Sequence, residues 1–175
     1  MSNIVYIAAS IDGYIATPDG GVEWLNEIPN PDQSDFGWSE FILGIDAILM
    51  GRNTFEKVLT FGEWPYQKPV FVLSAKLMEV PDELSEKAEI IKGSIEDVIA
   101  ELNQRGHTHI YVDGGKLIQS FLAEDLIDEL IITRIPIILG KGISLFREQE
   151  QSLKFIHKKT EIFNDSLVKS HYDRE

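Results

Sequence analysis

Two short stretches of this chain hold residue types suited to binding an anion. In Ala47-Ile48-Leu49-Met50-Gly51-Arg52-Asn53-Thr54-Phe55-Glu56 an apolar run ends in glycine and passes at once into Arg-Asn-Thr and a helix-like segment. In Ile110-Tyr111-Val112-Asp113-Gly114-Gly115-Lys116-Leu117 the same order of strand, glycine and helix recurs. A helix starting at such a junction points its first backbone N–H groups outward and adds the positive end of its dipole. Two junctions of this kind suit a ligand carrying several phosphates. Gly114 and Gly115, lacking Cβ atoms, would let the backbone approach it closely. Arg52 offers counter-charge, while Asn53 and Thr54 either bind the ligand or cap their own helix.

One carboxylate is the leading candidate for a catalytic acid. Asp35 lies between Trp24 and Trp38 in the chain, next to Phe36, and in a cleft lined by these rings its pKa would rise. A carboxyl group with a raised pKa can act as a general acid. The same residue sits at the start of a helix expected over Ser34 to Leu43, where a carboxylate simply complements the dipole. His107 and His109 have no carboxylate at metal-ligand spacing, so no metal is expected.

The elements that must position these residues follow from periodicity. Asn3 to Ala9, Ile45 to Met50 and Pro69 to Ser74 read as buried strands, and Glu89 to Lys92 as a short extended piece. Ser94-Ile95-Glu96-Asp97 resembles a capping box and opens a helix with Ile95, Val98, Ile99 and Leu102 on one face. His109 to Val112 is the next strand and Lys116 to Ala123 the next helix. Glu129 to Leu139 reads as a long strand in which Pro136 marks a bulge or edge. Leu153 to Thr160 and Ser166 to Tyr172 form a hairpin across Asn164-Asp165. Between Thr17 and Asp35, glycines, prolines and acidic residues predict a loop carrying Trp24 and Leu25, and a loop this long is usually functional. Alternation followed by pairing predicts a single α/β domain over 1–175, a three-layer fold whose mixed, mostly parallel sheet ends in an antiparallel C-terminal edge hairpin. Ligands of such sheets bind at strand carboxyl ends, where both glycine junctions fall.

Composition narrows the partners. The 175 residues are 43% hydrophobic, enough for one sizeable core, and contain no cysteine, which excludes disulfides and thiolate chemistry. The net charge of -13 argues against nucleic acid and anionic membranes, and any phosphate site must therefore be built locally. No apolar run approaches a membrane span, and Met1-Ser2-Asn3-Ile4 lacks signal-peptide character, so a soluble cytoplasmic protein is expected. The segment Ile131 to Leu139 is more apolar than an edge strand should leave exposed, which predicts a homodimer.

Taken in order, these stretches resemble the dihydrofolate reductase superfamily over most of the chain. Ala8-Ala9-Ser10-Ile11-Asp12-Gly13-Tyr14-Ile15-Ala16 is similar to the first strand and the start of the mobile loop in those reductases. Ile48 to Glu56 is similar to their arginine-bearing cofactor motif, Val70-Phe71-Val72-Leu73-Ser74 to the strand at the adenosine end, and Asp113 to Leu122 to the pyrophosphate-binding glycine turn and helix. Ile135 to Phe146 and the Ser10 to Ala16 opening resemble the branch containing the RibD C-terminal reductase domain of riboflavin biosynthesis. The resemblance implies NADPH as cofactor, with NADH not excluded because Ala75 replaces a second hydroxyl after Ser74, leaving Lys76 as a point charge. It implies cofactor contacts from Ala9, Ile15, Gly51, Arg52, Asn53, Thr54, Leu73, Ser74, Lys76, Gly114, Gly115, Lys116 and Leu117. Substrate contacts would come from Asp12, Trp24, Trp38 and Thr133, the last occupying the place of a threonine that supports the active-site carboxylate. Asp35 falls where dihydrofolate reductases keep that carboxylate. Asp113 departs from the usual glycine, and an anion there is unhelpful unless it faces away. The expected activity is hydride transfer from NADPH to a C=N or C=O group of a pterin-, pyrimidine- or sugar-like molecule, similar to 5-amino-6-(5-phosphoribosylamino)uracil reductase or dihydrofolate reductase. The alternative is a nucleotide-binding module of the same fold without efficient catalysis.

Overall fold

A computed structural model describes all 175 residues. The chain forms ten strands: β1 (Ser2–Ser10), β2 (Tyr14–Ala16), β3 (Ala47–Gly51), β4 (Val70–Leu73), β5 (Ala88–Ile91), β6 (His109–Asp113), β7 (Glu129–Ile135), β8 (Ile143–Ser144), β9 (Phe155–Phe163) and β10 (Leu167–Arg174). Four helices accompany them: α1 (Trp38–Leu43), α2 (Arg52–Leu59), α3 (Ile95–Gln104) and α4 (Gly115–Ala123). Eight strands make one sheet in the order β5-β4-β3-β6-β1-β7-β10-β9, and β2 pairs with β8 as a separate ribbon. The first six of that order run parallel, whereas β10 is antiparallel to both β7 and β9. The expected mostly parallel sheet with its antiparallel edge hairpin is therefore present.

Burial explains the sequence of each strand. Ala47 to Met50 of β3 are wholly enclosed, as a strand covered on both faces must be. On one face, Val98, Ile99 and Leu102 of α3 and Leu117, Ile118, Phe121 and Leu122 of α4 join Val5, Ala9, Leu49 and Val112. On the other, Phe55 and Val58 of α2 lie over the sheet, and the aromatic side of α1 packs against Ile4, Ile48, Met50 and Tyr111. Helix, sheet and helix make three layers. Ser94 Oγ accepts the Asp97 amide at 3.2 Å and fixes the start of α3 as its sequence predicts. The β9–β10 turn at Asn164-Asp165 has φ of 52° and 51°, the left-handed pair that a tight hairpin of this twist requires.

Three expectations are corrected. The helix expected over Ser34 to Leu43 begins only at Trp38, because Phe36 and Gly37 adopt φ of 53° and 84° and cannot continue a right-handed helix backward. The strand expected to reach Leu139 stops at Ile135, since Pro136 has no N–H to give a ladder. That strand is also not an edge: β7 lies between β1 and β10, and the free edges are β5 and β9. Its apolar residues are thus explained by burial in the sheet rather than by a partner. No helix is long and apolar enough to cross a membrane.

Candidate functional site

The sheet reverses direction between β3 and β6. The chain leaves β3 through α2 toward β4, and leaves β6 through α4 across β1 toward β7, so the two helices diverge onto opposite faces. A crevice at strand carboxyl ends is the geometric result, and it is the usual ligand position of open α/β sheets. Met50 and Asp113 are register partners, which sets Gly51 beside Gly114. The two glycine junctions are therefore one place.

Both helices start there without a side-chain cap, from Gly51 on α2 and Gly114 on α4. The amides of Arg52, Asn53 and Thr54, and of Gly115, Lys116 and Leu117, belong to first turns and have no acceptor within their own helices. Gly114 has φ 99° and ψ 131°, and a Cβ on it would overlap Thr54 Oγ1 and stand 3.2 Å from Thr54 Cβ. A Cβ on Gly115 would overlap the end of Ile15, which brings β2 over the start of α4. These absent methyls let Thr54 and Ile15 close onto the start of α4. Arg52 is 40% exposed and already bonded to Glu56 at 2.9 Å, a pairing of small worth that an anion can redirect. Asn53 is exposed and Thr54 half-buried.

The remaining cofactor candidates divide. Ser74 is buried, and its Oγ accepts the amides of Lys76 at 3.2 Å and Leu77 at 3.0 Å, so it shapes its own turn at the end of β4. Lys76 and Lys116 are exposed cations at the crevice rim, and Leu73 packs partly against the core. Ala9 and Leu117 turn their side chains into the core shared with α3 and α4, so their backbone groups are what they offer a ligand.

The substrate candidates share the α1 side of the sheet in part. Trp24, in a 3-10 turn over Glu23–Glu27, is buried against Ile135 and Leu167, and its indole N–H has no partner. Thr133 is buried one register step along β7 from Ile135 and is paired in the ladder with Lys169. Trp38 stands in an aromatic group with Tyr6, Phe41, Tyr66 and Tyr111. The Asp12 carboxylate accepts Ser10 Oγ at 2.6 Å and the amides of Leu139 at 3.1 Å and Gly140 at 2.7 Å, so it staples two loops together.

Asp35 lies in the turn that enters α1. Its carboxylate is exposed and accepts the amides of Gly37 at 2.9 Å and Ser39 at 3.0 Å, shaping the entry to α1. The Ser39 hydroxyl and these amides hold its pKa below the usual carboxylate value, the reverse of the rise expected of a proton donor.

The acid that the crevice does contain is Asp113. As the last residue of β6 it shares the α1/α2 face with Tyr111, and Tyr66 donates its hydroxyl to Asp113 Oδ2 at 3.1 Å. Burial pushes its pKa up, partly offset by the hydrogen bond from Tyr66. Its carboxylate therefore lies beside Tyr66 and close to the Gly114 amide, on the α1/α2 side of the crevice. Asp113 departs from the glycine expected there, and the tyrosine of the Trp64-Pro65-Tyr66 loop is the residue that meets it.

Comparison with known proteins places this architecture. The RibD C-terminal domain family matches residues 3–169. The Bacillus subtilis protein YwjB, itself uncharacterised, is 39% identical over 175 residues, spanning 98% of this chain and 97% of its own. The riboflavin biosynthesis protein RibD of Aquifex aeolicus is 32% identical over 92% of this chain, which spans 54% of that longer protein. The crystal structure of a putative riboflavin biosynthesis protein from Shewanella sp. PV-4 superposes with a TM-score of 0.96 at 49% identity, covering 100% of this chain and 99% of that one. A Thermotoga maritima deaminase/5-amino-6-(5-phosphoribosylamino)uracil reductase superposes at 0.77 with 21% identity, over 99% of this chain and 56% of its own, a likeness of fold alone.

Proposed function

The chain belongs to the RibD C-terminal domain family, and from that premise we propose that it is a pyridine-nucleotide-dependent reductase using NADPH, with NADH also admitted. The observation that carries this reading is the meeting of two uncapped helix starts at the β3/β6 reversal, with Gly114 packed against Thr54. When bound there, the cofactor would supply hydride to a C=N or C=O carbon of a pyrimidine-, pterin- or sugar-like molecule. Thr54 and the first amides of α2 and α4 hold the phosphates, Arg52, Lys76 and Lys116 supply charge, and Ile15 covers the start of α4. Trp24 and Thr133 line the substrate side, and Asp113, whose pKa burial raises, serves as the acid, with the Tyr66 hydroxyl fixing its carboxylate in place. The protein's contribution is to hold donor and acceptor together and keep water out. The names of the Aquifex and Thermotoga proteins support a ribosylaminopyrimidine phosphate as the first substrate to try. The test is to titrate NADPH and NADH while following fluorescence and melting temperature. Saturable binding is expected, and none with either nucleotide rejects the reading.

A second reading keeps the cleft without efficient catalysis. It is favoured by Asp35, whose carboxylate is held ionised and committed to its own turn. NADPH binding without oxidation across the pyrimidine, folate and small carbonyl substrates would favour it, whereas turnover with any of them excludes it. A cytoplasmic homodimer completes the proposal. Its support is the apolar face that the helices leave open over β7, β10 and β9, where Leu130, Ile132, Phe146, Phe155 and Val168 surround a cavity of about 400 Å³ beside Arg134. A monomer mass in gel filtration would contradict it.

A further inference from the structure

Lys169 is the third residue of β10, 3% exposed, between the Phe163 and Tyr6 rings and beside Glu161. A buried ammonium is costly unless its protons are used and its charge is balanced. Its Nζ donates to the Phe36 carbonyl at 3.0 Å, lies 3.3 Å from Glu161 Oε2, and faces the Phe163 ring at 4.7 Å and the Tyr6 ring at 5.7 Å. The Tyr6 hydroxyl donates to the same Phe36 carbonyl at 3.0 Å. Two donors from two different strands thus close on one carbonyl of the segment that enters α1.

That segment needs holding. Phe36 has φ 53°, a left-handed conformation that a bulky aromatic residue adopts only where its surroundings impose it, and Gly37 follows at φ 84°. A Cβ on Gly37 would stand 2.6 Å from Lys169 Nζ, so glycine is what lets the ammonium reach the carbonyl. The Phe36 ring meets Phe163 edge-on at 5.8 Å, which fixes the other side of the turn. Burial pushes the Tyr6 phenol up to about 12, and so it remains a donor across the working range. Lys169 is not needed to neutralise Glu161, because Lys159 and His171 also reach that carboxylate at 3.1 Å and 2.9 Å. Its own contact with Phe36 is the one that spans from the sheet to α1.

We propose that Lys169 and Tyr6 are positioning residues that clamp the Phe36 carbonyl and thereby set the turn entering α1 on the substrate side of the crevice. That the α1 side receives substrate rests on the reductase reading; the clamp itself does not. The experiment compares wild type, Lys169→Met, Tyr6→Phe and the double variant by amide hydrogen exchange, with NADPH titrated into each as a control. In Lys169→Met, exchange over residues 36–44 is expected to quicken at least ten-fold, while β1, β3 and β6 keep their protection and NADPH affinity stays within two-fold. Tyr6→Phe should quicken the same residues less, and the double variant less than the two effects multiplied, because both donors share one acceptor. Unchanged exchange over 36–44, or a rise matched across the whole sheet, overturns the clamp. If Lys169→Met fails to fold, Tyr6→Phe alone decides by the same local readout. Failure of wild type to bind NADPH, with the exchange pattern as expected, would reject the reductase reading and keep the clamp.

Discussion

Gly114→Ala perturbs the crevice at its narrowest point. The residue's φ of 99° with ψ of 131° lies in a region that side chains avoid, a strain of about 1–3 kcal/mol. Its new methyl would also overlap Thr54 Oγ1, and relief requires α2 and α4 to separate or Thr54 to leave its rotamer, at about 1–3 kcal/mol more. A total near 4 kcal/mol corresponds to a fall in melting temperature of roughly 8–16 °C in a domain of this size. Scanning calorimetry gives that number, and NADPH titration should show weaker binding because the helix starts no longer meet. Thr54→Ala separates the two costs. It removes Oγ1 and leaves Cβ at 3.2 Å, so Thr54→Ala/Gly114→Ala should recover the steric part and retain the backbone strain. A Gly114→Ala protein that melts within about 2 °C of wild type and binds NADPH equally would refute the contact between the junctions.

Other expectations follow from the same geometry. Arg52→Ala should weaken NADPH binding about ten-fold, the worth of one charge-assisted contact at a partly exposed site, and more than any other single change; equal affinity means the motif is misread. Asp113→Asn tests the buried acid through pH. Because the folded-state pKa is raised, its stabilising effect is full below the unfolded value and lost as pH rises through the folded one. The melting temperature of wild type relative to Asp113→Asn should therefore fall as pH is raised from about 4 toward neutrality, and a pH-independent gap contradicts the assignment. Asp35→Ala should cost about 2–4 °C in melting temperature, as a lost cap does, with little effect on NADPH binding or turnover; a collapse of turnover with an intact fold would restore Asp35 as the acid.

The parts of this fold legible in the sequence were those governed by local chemistry. Ser94 before a helical apolar stripe, Asn164-Asp165 between two strands, and the two strand–glycine–helix junctions each announce themselves over a few residues. That both junctions meet was readable only as a supposition, since neighbouring β3 and β6 are separated by more than fifty residues of chain, including β4 and β5. What was less legible depends on which groups a side chain meets once the chain has turned. Asp12 and Asp35 carry carboxylates suited to chemistry, yet amides of nearby turns occupy them. Asp113 seemed misplaced because Tyr66, 47 residues away, supplies the hydroxyl that accounts for it. Ile131 to Leu139 suggested an exposed edge because a strand buried between two others is as apolar as an edge awaiting a partner.

The central claim is that the β3/β6 crevice holds a pyridine nucleotide on two helix starts. Amide hydrogen exchange with and without saturating NADPH tests it most directly. Slowed exchange confined chiefly to residues 51–55 and 114–118 is the predicted result. Saturable binding that leaves both junctions unprotected, or protection elsewhere in the sheet, would contradict it.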